Sequence, residues 1–266
     1  MLVVGERINT SRKGVAEMVA RRDGEAIARE ARRQVEAGAN FVDVNAGTFV
    51  SEEPELLRWL VTVVQHAVQV PLCVDSPNPI AIRAALEVHR GKALVNSITG
   101  ERTRFQQLLP VVKQFGCGVV ALCMDDAGMP ASGEEAVAKG SRLVEDLLSA
   151  GIPAEDIYLD PLVRPVSTDF RAGLAVLDAI RALRQQYPGV HAICGLSNVS
   201  FGLPERRLLN RAFLVAAMAA GLDAVILDPL DDKLMALLRA AEAVLGRDPY
   251  CSRYLRAYRE GKLAAN

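Results

Sequence analysis

Polar side chains stand at the ends of several short apolar runs, and their types suit the recognition of a small molecule. Asp75, Asn96 and Asp160 each directly follow a valine or a leucine at the end of such a run. A carboxylate can accept paired N–H donors, whereas an amide both donates and accepts hydrogen bonds. The three residues therefore predict a site for the guanidine-like edge of a heterocycle, such as the 2-amino-4-oxo face of a pterin.

The same three residues have a structural alternative. Asp and Asn are favoured at helix N-termini, so each residue alone is equally consistent with capping the helix that follows its strand. Three such residues at the ends of separate strands favour a shared ligand site over three independent caps.

A glycine-led polar segment, Gly195–Ser200, follows the seventh apolar run. Gly195 allows the backbone to approach a ligand closely, and Ser197 and Asn198 bring hydrogen-bonding groups beside it. A polar loop with an Asx turn is the simpler alternative wherever Ser and Asn cluster.

Asp43 and Asn45 alternate on the second predicted strand and therefore face the same side of it. Because buried polar groups need partners, we expect them to form hydrogen bonds inside the fold and to orient neighbouring side chains.

Three further positions lie where strands meet helices. Asn9 ends the first run and is a candidate ligand contact, whereas the adjacent Glu6 and Arg7 suggest a structural ion pair. Arg206, at the start of a late helix, is either part of a solvated helix face or a cation for an anionic tail or for a partner's acidic surface.

Eight apolar runs alternate with eight amphipathic segments along the whole chain. The predicted strands are 2–5, 41–45, 71–75, 93–97, 118–123, 157–160, 191–195 and 224–227. The predicted helices are 24–38, 54–67, 79–88, 104–115, 133–150, 171–187, 205–220 and 232–245, with a ninth over 248–263. This pattern predicts an α/β fold, a single-domain (β/α)8 TIM barrel spanning 1–266 with an extra C-terminal helix. An open doubly wound sheet is the alternative, but no G-x-G-x-x-G or Walker motif supports it.

Composition narrows the classes of function. A formal net charge of -1 gives no electrostatic argument for nucleic acid or an anionic membrane. The five cysteines form no C-x-x-C pair, and four of them lie in or beside apolar runs, which indicates buried thiols in a reducing cytoplasm: Cys73, Cys117, Cys123 and Cys194. The three scattered histidines match no zinc pattern. We therefore expect a cytoplasmic enzyme without a bound metal.

Taken in order, these segments resemble the methyltetrahydrofolate:corrinoid methyltransferases of the pterin-binding barrel superfamily. The resemblance covers nearly the whole chain, and its most specific parts are the G-E-R-I-N sequence at 5–9 and the G-L-S-N-V-S sequence at 195–200. It continues through D-V-N at 43–45, V-D-S at 74–76 and D-P-L at 160–162.

The resemblance assigns roles to the site residues. It implies that Asp160 binds the amino-pyrimidinone edge of the pterin, that Asp75 and Asn96 lie near its other ring, and that Asn198 hydrogen-bonds N5, the atom that carries the methyl group. It implies substrate contacts for the remaining candidates: Gly195, Ser197, Arg206, Asn9 and Asp43.

The resemblance also implies a substrate pair and a partner. The methyl group moves between tetrahydrofolate and cobalt, in a direction that the sequence leaves open. No D-x-H-x-x-G cobalamin-binding pattern occurs in 1–266, so we expect a separate corrinoid protein to dock transiently at the barrel top. Family members of this kind pair as homodimers, and we expect a homodimer here.

Two other functions are consistent with the same sequence. A dihydropteroate synthase would need a basic phosphate-handling set near its last strands, where this chain has Ser197-Asn198 and Leu227-Asp228-Pro229 instead. A folate-binding subunit without catalytic activity would need only the pterin contacts.

Overall fold

Eight parallel strands alternate with helices in a computed structural model that describes residues 1–263, so 264–266 of the predicted domain lie outside the described residues. The strands are β1 Leu2–Asn9, β2 Phe41–Asn45, β3 Leu72–Asp75, β4 Leu94–Gly100, β5 Gly118–Asp125, β6 Ile157–Asp160, β7 His191–Ala192 and β8 Ala224–Leu227. The helices are α1 Lys13–Ala20, α2 Gly24–Ala37, α3 Glu53–Ala67, α4 Pro79–Leu86, α5 Arg102–Phe115, α6 Gly133–Ser149, α7 Ala172–Gln186, α8 Arg206–Ala220, α9 Asp232–Val244 and α10 Ser252–Arg259. The predicted single (β/α)8 barrel with an extra C-terminal helix is confirmed.

The strands follow one another around the barrel in the order β7-β6-β5-β4-β3-β2-β1-β8. Closure occurs beyond the short β7, where the Ile226 N–H donates to the Cys194 carbonyl at 2.9 Å and Gly195 pairs with Ile226. The carboxyl ends of all eight strands therefore surround one mouth, which is the functional face of this fold.

Alternation along the strands determines which residues point into the barrel. A buried interior cluster includes Cys73 and Leu94, and Tyr158 packs against it from β6. Side chains two residues apart face the same side of a strand, so Asp75, Asn96 and Asp160 also point inward, one step closer to the mouth. A polar layer thus lies directly above an apolar one.

Local signals fix the ends of the outer helices. Gly38 ends α2 in the left-handed conformation with φ of 114°, and Ser132 caps α6 by accepting from the Glu135 N–H at 3.2 Å. Within residues 1–263, none of the helices has both the length and the apolar character needed to cross a membrane.

Several predicted boundaries were wrong. Helix α1 was missed because only Val15 and Val19 are buried on it and no side chain caps its start. β1 extends past the predicted residue 5 because Ile8 and Asn9 still pair with β2 beyond the charged residues. β7 is shorter than predicted, since regular pairing stops before Gly195. Of the predicted terminal helix 248–263, only α10 is regular α-helix.

The expected Glu6–Arg7 ion pair was also wrong. The pairing of β1 with β2 is irregular between Gly5 and Ile8, and each of the two side chains finds a partner elsewhere in the chain. Arg7 instead pairs with Glu30 and, at 2.7 Å, with Asp228, whereas Glu6 lies 3.7 Å from Arg12.

Candidate active site

Three polar residues lie side by side, two at the ends of β2 and β3 and one within β4. Asn45, Asp75 and Asn96 are in register with one another. The Asn45 amide donates to the Asp75 carboxylate at 2.9 Å, and its oxygen accepts from the Gly47 N–H at 2.9 Å. Asn45, which was absent from the predicted set of ligand contacts, therefore orients Asp75; its alternation with Asp43 was the available signal.

Asp75 combines partial exposure at the mouth with an environment that disfavours its charge. Burial raises the pKa of the Asp75 carboxyl to about 6, while the Asn45 hydrogen bond and the positive charge of Arg104 act against this rise and Glu53 adds to it. The carboxylate is thus ionised at neutral pH and able to accept N–H donors.

Asp160 is the most enclosed of the three predicted binding residues, with 7% of its surface exposed. Burial raises its pKa to about 7, although hydrogen bonds from the backbone N–H groups of Leu162 and Gly195 oppose that rise. The Leu162 N–H lies 2.8 Å from the carboxylate. Asp160 therefore changes charge near neutral pH, in a position where a bound heterocycle could stabilise its ionised form.

Asp43 lies below this layer and is 2% exposed. The Cys73 thiol and the Asn96 amide are its polar neighbours, and burial together with the negative charge of Asp75 raises the pKa of Asp43 well above its usual range. One of its carboxyl oxygens has no hydrogen-bond partner among the described residues. This placement makes Asp43 a support for Asn96 from within the barrel, and solvent does not reach it.

Asn198 stands on the opposite side of the mouth, in a 3-10 turn over Leu196–Ser200. Its side chain is exposed, and a Cβ added at Gly195 would lie only 3.1 Å from the Asn198 amide nitrogen. Gly195 therefore makes room for the Asn198 side chain, which explains why a glycine stands here.

Arg206 braces the turn that carries Asn198. Its guanidinium donates to the Ser197 carbonyl at 2.7 Å and to the Ser200 hydroxyl at 3.1 Å, and it stacks on the Phe201 ring at 5.8 Å. These contacts stabilise the loop. Beside it, Ser197 and Arg206 line a cavity of about 260 Å³ that also includes Glu6, Arg12 and Asp228.

Asn9 ends β1 beside Asn45, with which it is in register. Its side-chain oxygen accepts from the Ser11 N–H at 2.9 Å, so part of its hydrogen-bonding capacity is used by its own turn. Among residues 1–263, no three His, Cys, Asp or Glu side chains lie close enough together to hold a metal ion.

The arrangement as a whole places carboxylates and amides around the mouth, with Asp75 and Asn96 on neighbouring strands and Asp160 on β6, next to β7 and the turn that carries Asn198. Asp160 can accept from the N–H-rich edge of a planar heterocycle, and Asp75, Asn96 and Asn198 offer donors and acceptors to the rest of it. Such a site binds an uncharged heterocycle through matched donors and acceptors and leaves the top of the barrel open.

Comparison with known protein families is consistent with this geometry. The profile of the family described as pterin binding enzymes matches residues 5–228. A methylcorrinoid:tetrahydrofolate methyltransferase of Eubacterium limosum is 36% identical over 265 residues, covering 99% of this chain and 98% of that protein. A methionine synthase of Mycobacterium tuberculosis is 30% identical over 239 residues, and the match covers 85% of this chain but only 20% of that much longer protein.

Solved structures support the fold. Dihydropteroate synthase from Thermus thermophilus superposes with a TM-score of 0.65 at 22% identity, covering 92% of this chain and 93% of the other. The enzyme from Xanthomonas albilineans with 7,8-dihydropteroate gives 0.69 at 21% identity, covering 92% and 91%. At this level of identity the likeness extends to the barrel architecture alone.

Proposed function

We propose, on the premise that this chain belongs to the pterin-binding enzyme family, that it transfers a methyl group between N5 of tetrahydrofolate and a corrinoid carried by a separate cytoplasmic protein. The observation that carries the proposal is the 36% identity to the Eubacterium limosum methyltransferase along almost the full length of both chains. The inward-facing donors and acceptors at the mouth supply the chemistry that such a substrate needs.

The pterin is held mainly by carboxylates in this proposal. Asp160 accepts from the amino-pyrimidinone edge, where a buried carboxylate pairs with adjacent N–H donors. Asp75 and Asn96 contact the other ring, with Asn45 and Asp43 supporting them from the neighbouring strand. These contacts fix the ring so that N5 faces Asn198.

Asn198 acts at N5, where the bond to the methyl group forms or breaks. A corrinoid supplies the cobalt centre that carries the methyl group when its protein docks. As the N5 lone pair forms the bond to the methyl group, N5 gains positive character, and an N5–H can donate to the Asn198 amide oxygen. In the reverse direction N5 is protonated before its bond to the methyl group breaks, and the same N5–H can donate to Asn198. An amide has no proton of useful acidity, so Asn198 stabilises the transition state by hydrogen bonding, while water or the carboxyl network carries the proton.

For the direction of transfer, we propose methylcorrinoid to tetrahydrofolate. The name of the Eubacterium limosum relative supports this direction, and the relative matches this chain from end to end. The same transition state serves both directions, so the residue roles above do not depend on it.

The corrinoid protein docks at the rim of the mouth in this proposal. Five of the most exposed large apolar side chains lie in the loops or helix starts after β2, β3, β5, β6 and β7: Val50, Ile80, Met129, Phe170 and Phe201. Their exposures range from 51% for Met129 to 89% for Phe170. An exposed apolar ring around an active site favours a partner that covers it and then leaves.

The late helices offer a second apolar surface, and we propose that it forms a homodimer interface. Its members are Leu208, Val215, Leu237, Val244, Leu245, Leu255 and Tyr258, of which Val244 is 84% exposed. Light scattering at micromolar concentration is expected to give about twice the chain mass of 28.7 kDa, and Val244→Asp is expected to shift the population toward monomer. A monomer in the wild type would exclude this assembly.

The proposed activity is tested by mixing the purified chain with tetrahydrofolate and methylcobalamin, and separately with methyltetrahydrofolate and reduced cobalamin, while following the corrin absorption. Transfer in either experiment supports a methyltransferase. The faster direction is then measured by repeating both experiments with the isolated corrinoid protein in place of the free cobalamin. Folate binding without transfer would instead support a non-catalytic binding subunit. Formation of dihydropteroate from a pterin pyrophosphate and 4-aminobenzoate would support the synthase alternative.

A further inference from the structure

Arg104 in the first turn of α5 joins the loop that follows β3 to strand β4. Its Nε donates to the Ser97 carbonyl at 2.9 Å, its Nη1 to the Pro77 carbonyl at 2.5 Å and its Nη2 to the Ser76 carbonyl at 3.1 Å. One planar guanidinium thus bridges the loop and the neighbouring strand through three peptide oxygens, which the fixed fork of arginine donors permits.

Both anchored segments adjoin residues that matter for the site. Ser76 directly follows Asp75 at the end of β3, Ser97 directly follows Asn96 within β4, and Asp75 and Asn96 are in register. A group that holds the next carbonyl on both strands limits how far Asp75 and Asn96 can move relative to each other.

The charge of Arg104 also reaches Asp75. The hydrogen-bond acceptors of its guanidinium are uncharged peptide carbonyls, and the carboxylates that act on it are Glu101 and Asp75. The groups acting on the Asp75 carboxyl are Asn45 and Arg104, which lower its pKa, and Glu53, which raises it together with burial. Asp43, buried on the adjacent strand, is a further acid near Asp75, whose negative charge raises the pKa of Asp43.

We propose that Arg104 is a positioning residue, which ties together the backbone segments that follow Asp75 and Asn96 and places a positive charge beside the Asp75 carboxylate. The inference rests on the proposed function, because Asp75 and Asn96 matter here as pterin contacts. It adds a residue from an outer helix that none of the strand-end motifs contains.

A pair of substitutions separates the two effects. Arg104→Lys keeps the charge but loses the planar fork, whereas Arg104→Gln keeps an N–H donor but loses the charge. The midpoint of the Asp75 titration, measured by carboxyl ¹³C NMR without folate and assigned with Asp75→Asn, is expected to rise by about one pH unit in Arg104→Gln. It is expected to stay near the wild-type value in Arg104→Lys.

Folate binding supplies the functional readout. If the Asp75 midpoint moves from about 6 to about 7, the ionised fraction at pH 6 falls about fivefold but hardly changes at pH 8. The ratio of the variant to the wild-type dissociation constant for tetrahydrofolate should therefore be about fivefold larger at pH 6 than at pH 8 in Arg104→Gln. The ratio should not depend on pH in Arg104→Lys. The Asp160 titration is common to all three proteins and cancels in the ratio.

Arg83→Gln is the matched control, because Arg83 links α4 to α5 through a 2.8 Å hydrogen bond to Gln114, at the opposite end of α5 from Arg104. It should change neither the titration nor the ratio. An unchanged Asp75 midpoint in Arg104→Gln, or a loss of affinity equal at both pH values, would overturn the proposal. A wild-type protein that binds no folate would overturn the proposed function instead, and the NMR titration would still decide whether Arg104 acts on Asp75.

Discussion

Asn198→Ala is expected to lower the rate of methyl transfer by about 10²-fold or more while weakening folate binding far less. Losing one preorganised hydrogen-bond partner at a developing charge typically costs about 3 kcal/mol in the transition state. The ground state loses less because Asp75, Asn96 and Asp160 still hold the ring. Single-turnover transfer and equilibrium folate binding, measured on the same variant, give the two losses separately.

The alternatives for Asn198 have distinct outcomes. Equal losses in rate and affinity would mean that Asn198 binds substrate and transition state equally. No loss in either would mean that Leu196–Ser200 serves only to shape the loop. The turn itself should persist in Asn198→Ala, since the contacts of Arg206 with Ser197 and Ser200 do not involve the Asn198 side chain.

Strand ends could be predicted from the sequence because a buried parallel strand is a continuous apolar run, and the first polar residue after it marks the mouth. Asp75 and Asp160 follow this rule and end β3 and β6, whereas β4 continues past Asn96 to Gly100 and still pairs with β5 there. Alternation along β2 placed Asp43 and Asn45 on one face. The barrel prediction rested on the same signal repeated eight times, with a helix after each strand.

Contacts between elements could not be predicted in this way. The Asn45–Asp75 hydrogen bond depends on the register of β2 against β3, and no local pattern specifies that register. Arg104 reaches carbonyls that are distant from it in sequence, such as that of Ser76. The Glu6–Arg7 prediction failed because the partners of Arg7 are distant in sequence: Glu30 is 23 residues away and Asp228 is 221 residues away.

Asp160→Asn is expected to weaken tetrahydrofolate binding by more than tenfold at pH 8, because the substitution removes a buried carboxylate that pairs with ligand N–H donors. Wild-type affinity should fall as the pH is lowered through about 7, where Asp160 takes up a proton, and again near 6 for Asp75. In the variant the step near 7 should disappear and the step near 6 should remain. Isothermal titration calorimetry between pH 5.5 and 8.5 resolves the two steps.

The stability of the free protein should change in the opposite direction. The pKa of Asp160 is higher in the folded chain than its ordinary value of 3.8, so the folded state binds this proton more tightly than the unfolded state. Its contribution to stability is present at low pH and is lost as the pH rises from about 4 through about 7. Asp160→Asn removes that loss of stability. The difference in unfolding temperature between the variant and the wild type should therefore favour the variant more at pH 8 than at pH 4.5.

A variant that loses affinity and gains stability at pH 8 would show that the buried carboxylate is kept for binding at a cost to the stability of the fold. A variant that loses both would mean that Asp160 is chiefly structural, and the pterin orientation proposed here would be wrong.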